Sequence, residues 1–143
     1  MRAMTPHPAL DALIDDFAFL DSWEDRYMHV IDLGRELEPL ENSERTEANK
    51  VQGCASQVWL VSERDGDTLR FRGDSDAHIV RGLVAVVLAA LSGRTRADIL
   101  ATDMEAVMAR LGLSEHLSSQ RANGLRSMVA RIRAEAAASV AKT

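Results

Sequence analysis

Val58-Trp59-Leu60-Val61-Ser62-Glu63-Arg64-Asp65-Gly66-Asp67-Thr68-Leu69-Arg70-Phe71-Arg72 reads as two strands joined by a tight turn. Val58 to Val61 are residue types that favour strands, and Asp65-Gly66-Asp67 supplies the turn. Leu69 and Phe71 then alternate with Thr68, Arg70 and Arg72, so the second strand has one polar face. The pattern predicts an antiparallel hairpin at about 56–64 and 68–73. A two-stranded hairpin is marginal alone. This one must pack on helices, and a third strand is one way to complete the sheet.

Helical patterns flank the hairpin on both sides. Pro8 suits a first helical turn, and Leu10, Leu13, Ile14 and Phe17 recur at helical spacing up to about Leu20. Ser22 is a cap for a second helix that carries Trp23, Tyr27, Val30, Ile31 and Leu37 on one face. Glu38 to Lys50 has Pro39, four glutamates and no apolar period, so it reads as a loop. Past the hairpin, Asp74 or Ser75 is positioned to cap a helix in which Ile79 to Leu91 is apolar nearly all round. Such a helix belongs at the centre of a core. Ser92-Gly93 ends it. A short helix at Thr95–Ala101, another around Met104–Leu111 ended by Gly112, and a last one after Ser118-Ser119 complete the order. Two helices, a hairpin, then several helices make an α+β fold, read as a single domain over 1–143.

Composition narrows the function classes. At 143 residues the chain is long enough to bury a core, and 46% hydrophobic with 27% charged residues is ordinary for a globular protein. A net charge of −5 argues against nucleic acid as the main partner. The apolar run Gly82–Leu91 is too short to span a bilayer, and Met1–Leu10, with its two prolines, carries no leader pattern. The single cysteine forms no internal disulfide, which suits a reducing compartment. The expected location is the cytoplasm.

That cysteine, Cys54, stands between Gly53 and Ala55 just before the first strand. Gly53 can take backbone angles closed to other residues, so the thiol sits on a turn at the mouth of a strand. Taken alone, a lone cysteine there is ordinarily a buried structural thiol. Its surroundings resemble the SufE family, sulfur-acceptor partners of cysteine desulfurases, whose acceptor signature is Gly-Cys-x-Ser-x-Val-Trp. Gly53, Cys54, Ser56, Val58 and Trp59 fill those positions. Further similarity lies in Trp23-Glu24-x-x-Tyr27, Ile31-Asp32-Leu33-Gly34, Gly73-Asp74-Ser75-Asp76 leading into Ile79-Val80-x-Gly82-Leu83, and Leu117-Ser118 followed by Arg121 and Asn123-Gly124-Leu125. Several motifs in order, from roughly Leu13 to Ala137, carry more weight than one.

The resemblance implies a SufE/IscU-like fold and a role in Fe–S cluster assembly. Cys54 would receive sulfane sulfur from the persulfide of a pyridoxal-phosphate (PLP) cysteine desulfurase, SufS-like or CsdA-like. It would then pass the sulfur to a SufBCD-like scaffold complex. PLP would belong to the partner, the chain itself would carry no cofactor or metal, and it would be a monomer or weak homodimer. Gly53, Asp74, Asp76 and Arg121 are the supporting or partner-contact candidates.

The residues are compatible with that chemistry. A persulfide relay needs a thiolate and no second thiol nearby, because a resolving cysteine would attack the persulfide and release its sulfur. An ordinary thiol is mostly protonated at neutral pH, so a cation would help. Lys50 is nearest in sequence, and Arg121 is the distant candidate. For Arg121 a loop salt bridge is the competing reading; for Asp74 and Asp76 it is helix capping. Two other functions stay open: a cysteine-nucleophile hydrolase, if His78 or His116 folds beside Cys54, and a desulfurase-activating binding module without sulfur transfer. His7, His29, His78 and His116 show no metal-ligand spacing.

Overall fold

The computed structural model describes residues 7–54, 56–115 and 117–141, with side chains described as far as residue 138. Pro8 opens α1 (Pro8–Ala18), which buries Leu13 and Phe17. The Ser22 hydroxyl accepts from the Asp25 backbone N–H at 3.1 Å and starts α2 (Trp23–Arg35). The Glu38–Lys50 loop contains one 3₁₀ turn, Asn42–Glu44, closed by a reciprocal Glu41–Glu44 capping box.

The hairpin consists of β1 (Val58–Asp65) and β2 (Thr68–Ser75), in antiparallel register from Val58↔Ser75 to Asp65↔Thr68. It starts two residues later than the sequence pattern suggests, and β2 runs two residues further. Ladder pairing begins at Val58, and Gln57 is instead held by side chains of Ser75 and Asp76. A third strand is present: β3 (Arg94–Thr95) pairs with β2 through Thr68↔Thr95 and Leu69↔Arg94, giving the order β1-β2-β3. The Thr95 side chain then caps α4 (Arg96–Ala101) by accepting from Asp98 N–H. Asp103 caps α5 (Met104–Arg110) in the same way through Ala106 N–H. Ser118 accepts from Arg121 N–H at the start of α6 (Ser119–Ala141).

The central helix is α3 (His78–Leu91), with Leu83, Val84, Val86, Val87, Ala90 and Leu91 all buried. It packs on β2, α1, α2, α5 and α6. Its closest neighbour is α2, where Gly34 and Gly82 face each other: a Cβ on Gly34 would stand 2.7 Å from the Gly82 nitrogen, and one on Gly82 would strike the Val30 backbone. The two helices cross with no side chain between them at that point. One contiguous apolar core joins α1, α2, the sheet and all the later helices.

One local expectation is corrected. Neither Asp74 nor Ser75 caps α3: the N-cap is Ala77, and Ser75 Oγ accepts only from the Ala77 N–H, at 3.3 Å, ahead of the helix. The buried Asp74 carboxylate instead accepts from Arg45 at 2.7 Å and from Ser75 N–H at 2.8 Å, and lies 3.2 Å from Arg81 Nε. Arg45 also stacks over the Trp59 ring, 5.6 Å from its centroid. These contacts fold the 38–50 loop onto the sheet.

Candidate functional site around Cys54

Three segments bring Cys54 to its place. Gly53, at φ +91°, turns the chain in a conformation other residues rarely adopt. A Cβ there would lie 2.7 Å from Ser127 Oγ on α6, so the turn rests directly on that helix. Cys54 Sγ donates to the Gly124 carbonyl of α6 at 3.5 Å, a hydrogen bond that is weak because a thiol is a poor donor. On the far side, Ser75 Oγ donates to the Gln57 carbonyl at 2.7 Å, and Asp76 accepts from Gln57 N–H at 3.1 Å and from its side-chain amide at 3.4 Å. The thiol is half-buried at the edge of a cavity of about 350 Å³. Ile79, Val80, Leu83, Leu125 and Met128 form its apolar wall, with Ser56, Ser118, Gln120 and Arg121 at the polar side.

Burial pushes the Cys54 thiol pKa above its ordinary value. Arg121 lines the same cavity, but its guanidinium lies over the Tyr27 ring, 6.0 Å from the centroid. The thiol therefore rests in its neutral form, with a cation stationed nearby.

Each sequence-derived site residue has a definite position. Cys54 and Arg121 come together at the cavity, and Gly53 turns the chain onto Ser127 just before it. Arg121 makes no ion pair with any described residue, so the loop salt bridge has no partner among them. Asp76 acts on the cysteine segment through Gln57, whereas Asp74 is committed to Arg45 and Arg81 and does not line the cavity. Lys50 is not among the lining residues; its carbonyl accepts from Arg131. His78 is exposed at the first position of α3 and does not line the cavity, and His116 lies outside the described residues. Among the described residues, no group of three or more His, Cys, Asp or Glu side chains converges as a metal site.

Sequence reasoning missed Gly124 as the thiol's acceptor, Ser127 under Gly53, and Tyr27 beside Arg121. Gly124 carried a signal in the Asn123-Gly124-Leu125 motif. Tyr27 likewise stood in the Trp23-Glu24-x-x-Tyr27 motif, but its place beside Arg121, like that of Ser127 under Gly53, is set by tertiary packing alone.

Comparison with known proteins decides the family. Residues 11–136 match the SufE family, described as an Fe–S metabolism associated domain. The chain belongs to the SufE family. It is 59% identical over 132 residues to an "uncharacterized SufE-like protein" of Rhizobium meliloti (strain 1021), covering 90% of this chain and 94% of the relative. A second such protein, from Rhizobium etli, is also 59% identical over 132 residues, covering 90% of this chain and 89% of the relative. Among solved structures, the solution structure of a hypothetical protein from Thermus thermophilus superposes with a TM-score of 0.76. It covers 96% of this chain and 99% of its own at 19% identity, a likeness of fold. A SufE chain of this fold is thereby associated with Fe–S metabolism, and Cys54 lies within the matched residues.

Proposed function

We propose that this SufE-family protein accepts and carries sulfur for Fe–S cluster assembly, with Cys54 as the carrier. The observation that supports this most is the lone thiol held by one weak hydrogen bond at the edge of a largely apolar cavity, inside the family motif. In the reaction the Cys54 sulfur attacks the terminal sulfur of a persulfide on a cysteine desulfurase. A new S–S bond forms at Cys54 as the partner's S–S bond breaks, and the partner's thiolate leaves and takes up the Cys54 proton. The exchange is redox-neutral and needs no added oxidant. The partner is SufS-like or CsdA-like and supplies PLP; a SufBCD-like scaffold is the downstream acceptor.

The site's chemistry suits each stage. At rest, the half-buried, protonated thiol is a poor nucleophile and is less open to adventitious oxidation. Once the turn lifts from Gly124, the desolvation that holds the proton on is relieved, and Arg121, which lines the same cavity, is the cation available to an anionic sulfur at its mouth. With no second cysteine in the chain, the persulfide meets no internal thiol that would discharge it.

The test is intact-mass spectrometry after incubation with desulfurase, PLP and cysteine. The expected result is a gain of one sulfur atom on wild-type protein and none on Cys54→Ser. An unmodified wild-type protein beside an active desulfurase would overturn the proposal. Full stimulation of the desulfurase by Cys54→Ser would indicate a binding module instead.

A further inference from the structure

The loop before Cys54 lies along one stripe of α6. Gly124, Ser127 and Arg131 are spaced i, i+3 and i+7, which places them on one helical face about 10 Å long. Cys54 meets Gly124, Gly53 meets Ser127, and Arg131 reaches two backbone carbonyls further back. Its Nη1 donates to Lys50 at 3.2 Å and its Nη2 to Ala48 at 2.8 Å. Glu135 orients this fork, 3.4 Å from Arg131 Nε, and accepts from Ser62 Oγ of β1 at 2.7 Å. Two ladder-like bonds, Val51 N–H to Val58 and Leu60 N–H to Asn49, each 2.8 Å, hold the same stretch to the sheet.

The strengths along the stripe are unequal. The thiol end has one weak hydrogen bond from a poor donor, whereas the Ala48–Lys50 end has two charge-assisted bonds from a planar fork. Gln57, beyond the cysteine, is held by Ser75 and Asp76. Any motion that frees Cys54 therefore breaks the weak contact first and leaves both ends in place.

We propose that Arg131 is a positioning residue for sulfur transfer: it anchors the N-terminal end of the cysteine segment to α6 and so limits how far Cys54 travels. This rests on the sulfur-carrier reading and specifies how the carrier presents its thiol. Cys54 lies three residue steps beyond Val51, so the anchored segment reaches about 10 Å at ~3.5 Å per residue. The partner's persulfide must come to that distance, and a pre-ordered segment loses little freedom on docking. Releasing the anchor lengthens the mobile chain, exposes the thiol more often, and makes docking costlier in entropy.

The test compares wild type, Arg131→Ala, Arg131→Lys and Glu135→Gln. Iodoacetamide alkylation of Cys54 is measured on each free protein at one pH, beside thermal melting. Arg131→Ala is expected to alkylate about fivefold faster, because the released segment populates open arrangements that the anchored one cannot reach. Arg131→Lys, which lacks the fork, should fall between it and wild type. In the desulfurase assay, Arg131→Ala should raise the half-saturating concentration while turnover at saturation stays within about twofold. If Arg131→Ala fails to fold, Glu135→Gln carries the test through a smaller rise in alkylation. Alkylation at the wild-type rate in the folded variants overturns the anchor. Because that measurement uses no desulfurase, faster alkylation without any persulfide would uphold the anchor and overturn the carrier reading alone.

Discussion

At the scale of single residues, the state of Cys54 is set by burial working against the charge its chemistry needs. Burial raises the thiol's pKa, and Arg121 is turned toward Tyr27 in this arrangement. Alkylation of the native protein should therefore rise with pH about a midpoint above that of the same cysteine in the urea-unfolded chain. The pH–rate profiles of the two states check this, and a native midpoint at or below the unfolded one would show that a cation outweighs burial. The sign for stability follows. The folded thiol holds its proton more tightly, so its contribution is full below the unfolded thiol's pKa and is lost as pH rises through the folded value. Asp76 and Asp74, neighbours in sequence, do different things: one holds Gln57 and the other holds the 38–50 loop through Arg45. Spacing alone made both look like caps for α3.

At the scale of elements, the α2–α3 crossing is the least forgiving contact. Gly82→Ala would drive a methyl group into the Val30 backbone, and backbone on both sides leaves no flexible side chain to yield. The expected loss is about 2–3 kcal/mol from forced separation of the helices, read as a lower urea midpoint with an unchanged slope. Stability equal to wild type would mean that the helices separate easily there. The hairpin was legible from β-branched residues, alternation and the Asp-Gly turn, because those signals are local. Its true start at Val58 was not, because the Ser75 and Asp76 side chains that hold Gln57 off the ladder lie about eighteen residues away. The two-residue β3 was legible only as a place for another strand, being too short to show a period.

For the whole molecule, the contiguous core predicts cooperative unfolding. Trp23 lies on α2 and Trp59 on β1, so tryptophan fluorescence and far-ultraviolet circular dichroism should give coincident urea transitions. Separated transitions would divide the α2 region from the rest. Among the described residues no helix is long and apolar enough to cross a membrane. By itself, the sequence determined the α+β order, the central apolar helix, the family and the lone thiol, because each is written in local pattern or in motifs with fixed spacing. Only the tertiary structure decided what the thiol touches: the Gly124 carbonyl, an apolar cavity shared with Arg121, and an α6 stripe on which Arg131 holds the loop. The physical reason is that burial, hydrogen bonding and anchoring at Cys54 come from residues some seventy to eighty positions away, and no local propensity encodes which of them will meet.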